Sequence, residues 1–438
     1  MSRDRRITLG GIVALAALTA LAATWPTLTG QLVRAKWSPT WADWLPRVTG
    51  WTPVAFLVAV VLVAAVPFAD RARWRWLLVT AWAATWVWTM ALALVDGRSG
   101  IATTFSLRSE YLSDAVQVES ISQTFAEFVS RIPIGVTDNW TVHVAGHPIG
   151  ALLLFVGLVR LGFDDPFSLG LLVLTVGTTA VAAVMVALRA VAGEAVARAA
   201  APFLVLGPSA VFVGVSADGM FMAITAWGLA ALAVAATSRT RAAVPLAVLS
   251  GVMLGAGVYL SYGLLLIGLI AVAILAAARA WRVLPWALWG ALAVAAAFTV
   301  AGFAWWEAYP VLRERYHKGI ASERPYSYWV WANFGAWAVC AGVGVGAGVA
   351  HGVRLLASRA RLTPATRALL LVGGAGIGCL VLASLSGMSK AEVERIWLPF
   401  TPWVLCLLAL LPTGHRRPVL ALQAALALLT QHLLLSQW

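Results

Sequence analysis

Two acidic residues, Glu110 and Asp114, stand one helical turn apart in Arg108-Ser-Glu-Tyr-Leu-Ser-Asp114, a spacing that puts both carboxylates on one helix face. Further on, His143 and His147 occur in Trp140-Thr-Val-His-Val-Ala-Gly-His-Pro148, at the entry to an apolar run. A carboxylate within hydrogen-bond reach of a hydroxyl can act as its general base. Late in the chain, Lys390 and Arg395 flank Glu392 and Glu394, and Arg313, Arg315, Lys318 and Arg324 precede Tyr326 and Trp329. Such cations can bind an anionic group, and arginine contacts carboxylates and phosphates bidentately.

These stretches are polar islands in an apolar chain. Of the residues, 61% are hydrophobic and 11% charged, against roughly 25% charged in an ordinary soluble domain. That surplus of apolar surface excludes a soluble fold and requires lipid as solvent. Runs long enough to be spans, at roughly 20 apolar residues each, recur along nearly the whole sequence, and about 13 to 14 apolar segments can be distinguished. The expected fold is therefore an all-α polytopic integral membrane protein.

Lys and Arg exceed Asp and Glu by 31 to 18. In a membrane protein this excess marks loops retained in the cytoplasm, so no nucleic-acid partner is implied and the lipid bilayer is the partner. Arg3, Arg5, Arg6, Arg71, Arg73, Arg75, Arg239, Arg241, Arg279, Arg282, the stretch 354–367, Arg416 and Arg417 all read as inside. The start, a basic hexapeptide before an apolar run, reads as an uncleaved first helix, because many spans follow it. The chain then divides into amino-terminal helices over 1–95, an outer loop with the acidic pair over 96–148, and a transmembrane core over 149–438. Two further outer loops lie near 305–329 and 386–397. In the first outer loop, Tyr111, Leu112, Val116, Ile121, Phe125, Phe128 and Val129 recur near helical spacing, which predicts one or two amphipathic helices on the outer surface.

One region resists this count. If every segment between 149 and 215 crossed fully, Arg189 and Arg198 would fall outside, so one of them must be short, re-entrant or fused to its neighbour. Asp218 follows at the edge of an apolar stretch, where an ionisable group is costly and is usually paired or functional. Cys340, Cys379 and Cys406 lie in apolar runs without metal-ligand spacing and read as packing residues. Lysine is confined to Lys36, Lys318 and Lys390 among abundant Ala, Val and Arg, a composition typical of high-GC bacteria.

The order of these motifs resembles the GT-C class of membrane glycosyltransferases, in the branch of protein mannosyltransferases and aminoarabinose transferases. Members carry an acidic pair in a long outer loop, then His-Pro-Pro or Lys-Pro-Pro at the next helix mouth. Here Glu110 and Asp114 are followed by His147-Pro148-Ile149, without the second proline. The likeness continues through Pro208-Ser209, Ser216-Ala-Asp218, the tyrosine-rich turn within 251–263, and Glu394-Arg-Ile-Trp-Leu-Pro399. It covers most of the chain beyond 96, whereas the family places its acidic loop after the first helix and here two additional segments come earlier.

The resemblance implies transfer of a sugar from a polyprenyl-phosphate donor to a glycan, lipid or protein acceptor, with inversion, at the outer face of a bacterial cytoplasmic membrane. It implies Glu110 or Asp114 as the base, and Arg395, Lys390 and Arg324 on the donor phosphate. Arg108, His143, His147, Asp218 and Tyr326 would position substrates, with Trp329 beside Tyr326 on a sugar. No metal motif is visible, although acidic loops can hold a divalent ion through oxygen ligands. The competing expectation is a transporter or lipid-linked saccharide flippase, which would show internal repeats with interrupted helices; no convincing repeat is found.

Overall fold

The computed structural model describes residues 1–69, 71–358 and 361–437; residues 359–360 of the basic stretch 354–367 lie outside the described residues. The chain is an all-α polytopic membrane protein. Among the described residues seven helices are long and apolar enough to cross a bilayer: Arg3–Thr29, Trp74–Asp96, Pro166–Ala192, Ala217–Thr237, Ala243–Leu260, Trp281–Val300 and Pro364–Leu385. The broken pair Tyr326–Ala341 and Val345–Ala357 brings the number to eight. Shorter apolar helices occupy Thr52–Pro67, Ile149–Arg160, Tyr262–Ala278 and Thr401–Leu410. Most of the expected segments are thus helical, but fewer reach full span length.

Local signals start these helices where the sequence changes character. Asp165 accepts from the backbone N–H groups of Phe167 and Ser168 at 2.9 and 3.0 Å, with Pro166 opening the helix. Thr363 caps Thr366 at 3.1 Å ahead of Pro364. Both follow from the orphan N–H groups of a first turn and the fixed φ of proline. Between helices, small residues replace the absent hydrophobic drive in lipid. A Cβ added to Gly251 would lie 1.9 Å from the Ala287 carbonyl oxygen, and one on Gly290 would lie 2.3 Å from that of Val248. Gly11 and Gly346 meet equally closely, which packs the amino-terminal helix against Val345–Ala357.

The awkward region resolves through helix length. Ile149–Arg160 has 12 residues, about 18 Å at 1.5 Å per residue, too short for a core of about 30 Å. It leaves the His147 turn, and its last residue, Arg160, donates to the Glu119 carbonyl of the same long loop. The next helix starts at that end too, with Arg98 over the Phe167 ring at 4.2 Å. The segment expected at 202–215 is also not one helix; it breaks into Glu194–Val205 and Ala210–Val213 around Gly207-Pro208. Arg189 and Arg198 consequently lie against Trp74, and Arg198 donates to the Ala72 carbonyl at 2.8 Å, beside the basic stretch 71–75.

The bundle therefore has a basic end and a second end that gathers the long loop 96–148, the segment 305–329 and the segment 386–397. The long loop is built of short helices, Ser99–Ser106, Tyr111–Ala115, Ile121–Glu127 and Val142–Ala145, instead of one or two longer ones. A two-stranded antiparallel sheet, Ala42–Trp44 with Leu434–Ser436, ties the segment after the first helix to the carboxyl terminus.

Candidate functional site

At this second end a cavity of about 720 Å³ opens, lined by His143, His147, Asp218, Arg315, Arg324, Lys390, Glu392 and Arg395 on its polar side. Its other walls are apolar, including Leu264, Leu265, Leu266, Leu382 and Phe400. Leu265 is 58% exposed and Leu382 45% exposed, so the apolar side reaches the outer surface of helices that face lipid.

Arg395 is the centre of the polar side and is itself buried. It sits in a four-residue helical turn, Val393–Ile396, which follows two non-glycine residues in the left-handed region, Ala391 at φ 69° and Glu392 at φ 60°. Such conformations are costly and persist where neighbours over-determine them. Here buried Asn333 supplies the hold: its amide donates to the Ser389 carbonyl at 2.7 Å and its oxygen accepts from the Ala391 N–H at 3.3 Å. The Tyr316 hydroxyl accepts from the Lys390 N–H at 3.0 Å.

Held this way, Arg395 donates to Asp218 at 2.7 Å, to Glu392 at 3.1 Å and to His143 Nε2 at 3.1 Å. Asp218 is fixed at the start of Ala217–Thr237, where its own N–H is capped by Ser216 at 3.1 Å. Arg324 reaches Glu392 at 3.3 Å and the Lys390 carbonyl at 2.7 Å, and lies over the Trp41 ring at 4.7 Å. Lys390 Nζ donates to the Ala321 carbonyl at 3.0 Å.

Behind His143 stands Glu110, whose carboxylate contacts His143 Nδ1 at 2.6 Å. Because Arg395 is purely a donor, His143 Nε2 must accept, which places the ring proton on Nδ1 toward Glu110. Burial opposes ionisation of Glu110, but His143 and Arg395 outweigh it and hold its pKa below the ordinary carboxylate value. For Glu392 too, burial is the largest influence, and Arg395 and Arg324 outweigh it to lower its pKa. Burial lowers His147 to about 4, so its ring is neutral near pH 7.

The structure separates the sequence candidates. His143, His147, Asp218, Arg324, Lys390 and Arg395 share the cavity, and Glu110 supports it through His143. Asp114 does not join Glu110: Glu110 is the extended residue before helix Tyr111–Ala115, so the two side chains diverge. Asp114 instead accepts from the Thr141 N–H and hydroxyl at 3.1 and 2.6 Å, which fastens the turn carrying His143. Arg108 is exposed and outside the cavity lining. Tyr326 donates to the Leu385 carbonyl at 3.0 Å and also lies outside the lining, because it begins a helix that leads away. Trp329 is fully buried, its indole N–H on the Val33 carbonyl at 3.0 Å. Arg313 is exposed, and Lys318 is spent on a surface pair with Glu314.

No protein-family model, curated protein or solved structure matches the chain. Glu392 was missed as a site residue, although its position three before Arg395 is an ion-pair spacing visible in the sequence. Tyr262, Trp305, Tyr309 and Tyr316 also line the cavity, and nothing in their local sequence distinguishes them from interfacial aromatics. Among the described residues no group of three or more His, Cys, Asp or Glu could hold a metal ion.

Proposed function

We propose that this protein is a GT-C-like glycosyltransferase that takes a sugar from a polyprenyl-phosphate donor at the outer face of a bacterial cytoplasmic membrane. The observation that carries this reading is the division of one cavity between buried cations and an apolar wall that reaches the lipid-facing surface. An amphipathic lipid phosphate requires both halves, and a water-soluble donor would not need the second. The basic end has the charge expected of the retained, cytoplasmic side, which supports an outer-face position for the cavity.

In this reading the acceptor oxygen attacks the anomeric carbon, a new C–O bond forms, and the bond from that carbon to the phosphate oxygen breaks. The electron pair leaves on the phosphate, where Arg395, Arg324 and Lys390 offset its growing charge. Arg395 exchanges its contact with His143 for one with the phosphate. His143 Nε2, bared by that exchange, takes the acceptor proton, and Glu110 stabilises the resulting imidazolium. A flippase or transporter is the alternative, and the interrupted helix at 342–344 is the feature that would favour it. That break, bent by 114°, is filled by Gln423, which donates to the Ala341 carbonyl at 2.7 Å and accepts from the Gly344 N–H at 3.1 Å. It lines no part of the cavity.

The test is incubation of membranes carrying wild type or Glu110→Gln with radiolabelled polyprenyl-phosphate sugars, following label into glycan, lipid and protein. Transfer by wild type and not by the variant supports the reading. Gradient-driven movement of substrate in proteoliposomes without a covalent product would replace it with the transporter.

A further inference from the structure

One face of the helix Trp305–Lys318 lines the cavity at Trp305, Tyr309, Leu312 and Tyr316, spaced as a helix stripe. The stripe extends over about 16 Å at 1.5 Å per residue. At its aromatic end Trp305 and Tyr309 are stacked, with ring centroids 5.2 Å apart and planes at 13°. Tyr262 closes the corner, 5.1 Å from Trp305 and 5.3 Å from Tyr309.

His147 lines the same cavity, with its ring packed against Tyr111 and Phe221 at 5.6 and 6.1 Å. A Cβ on Gly150 would lie 2.4 Å from the Tyr259 carbonyl oxygen, so the turn at 146–150 abuts the turn at 259–263. His147 Nδ1 lies 2.7 Å from the His143 carbonyl and must be its donor, which makes Nε2 an acceptor. Among the described residues Nε2 has no hydrogen-bond partner. The cavity therefore combines flat aromatic faces with an acceptor for a hydroxyl, and sugar rings present C–H faces and O–H edges. An aliphatic chain would leave the imidazole acceptor unused. Hydroxyl recognition of this kind discriminates strongly against ligands that lack the group.

Resting on the glycosyltransferase reading, we infer that Tyr262, Trp305, Tyr309 and His147 form the seat of the acceptor, and that this acceptor is a carbohydrate chain and not a protein side chain or a lipid headgroup.

The experiment uses full-length protein in detergent and fluorescently labelled short oligosaccharides of mannose and of arabinofuranose. Binding is measured for wild type, Trp305→Leu, Tyr309→Leu and Trp306→Leu, with monodispersity checked by size exclusion. Loss of a stacked ring weakens binding about tenfold. Trp306, 60% exposed and outside the lining, serves as control and leaves the Kd unchanged. In the transfer assay the same cavity variants raise the acceptor KM about tenfold and leave the donor KM in place. Should Trp305→Leu fold poorly, His147→Gln tests the same cavity, because it exchanges the imidazole acceptor for an amide. Oligosaccharide binding with no transfer from any donor keeps this site and removes the glycosyltransferase reading. Transfer to protein or lipid with no oligosaccharide binding does the reverse. Equal binding by wild type and all variants overturns the site.

Discussion

The two ends of the bundle hold the same kinds of ion pair in opposite settings. At the basic end, Arg354 pairs with Asp4 while both side chains stay open to solvent, at 37% and 44% exposure, and Arg189 pairs with Glu194 at 3.0 Å in a similar state. At the cavity end, Arg395 and Asp218 are both nearly enclosed, and Glu392 links Arg395 to Arg324. Exposed pairs are screened and contribute little, whereas enclosed charges persist only when every partner is in place. A protein that needs charge only to orient itself in a membrane has no reason to bury it. Among the described ion pairs the most enclosed, Arg395 with Asp218, lies beside the cavity.

The largest effect should come from breaking one pair at each end. Arg395→Ala leaves Asp218 and Glu392 facing each other, and is expected to cost about 3–5 kcal/mol in stability. In membranes it should lower transfer by about 10²–10³-fold. Arg354→Ala should cost under about 1 kcal/mol and leave transfer unchanged. Denaturation in detergent beside the transfer assay measures both, and equal losses would erase the distinction between the ends.

A second contrast lies within the acidic pair. Glu110→Gln removes the charge behind His143 and should reduce transfer by about 10²–10⁴-fold with little change in melting temperature. Asp114→Asn weakens only the hold on Thr141, so a stability loss of about 1 kcal/mol with transfer within a few-fold of wild type is expected. Reversal of those two outcomes would return the base to Asp114.

Glu394 provides a pH test of burial itself. One of its carboxylate oxygens accepts from the Trp41 N–H at 2.8 Å, and the other has no hydrogen-bond partner among the described residues. Burial pushes its pKa up to about 7. A group raised in the folded state contributes stability that is complete below its unfolded pKa and is lost as pH rises through the folded value. Wild type should therefore lose stability relative to Glu394→Gln between about pH 5 and about pH 8, by up to about 3 kcal/mol. Parallel melting curves across that window would show that Glu394 does not titrate there. The smallest effect is expected for Tyr326→Phe, which loses one exposed hydrogen bond, under about 1 kcal/mol, with unchanged transfer kinetics.

Much of this arrangement was legible in the chain because lipid imposes a simple rule. A long stretch of apolar residues exposed to lipid must be helical, so most of the apolar segments could be read directly as helices. The division of Arg and Lys between loops located the basic end, and the clustering of Asp, Glu and His located the other. His143, His147, Asp218, Arg324, Lys390 and Arg395 could be named because ionisable residues are rare in this chain and stand out wherever they occur. Asp114, Arg108 and Tyr326 lie outside the cavity lining because a loop's short helices choose which way each side chain turns. Spacing cannot report that choice: a change of backbone at Glu110 from helical to extended sends its carboxylate to His143 and that of Asp114 to Thr141.

By itself, then, the sequence determined that the chain is a polytopic helical membrane protein, since composition and hydropathy act through the solvent and need no partner. Only the tertiary structure decided that Ile149–Arg160 does not cross, that Glu392 joins Arg395 to Arg324, and that the aromatic face of Trp305–Lys318 turns inward. Those outcomes depend on contacts between residues far apart in the chain, such as Asp218 with Arg395 and Gly150 with Tyr259, and such contacts exist only after the helices have packed.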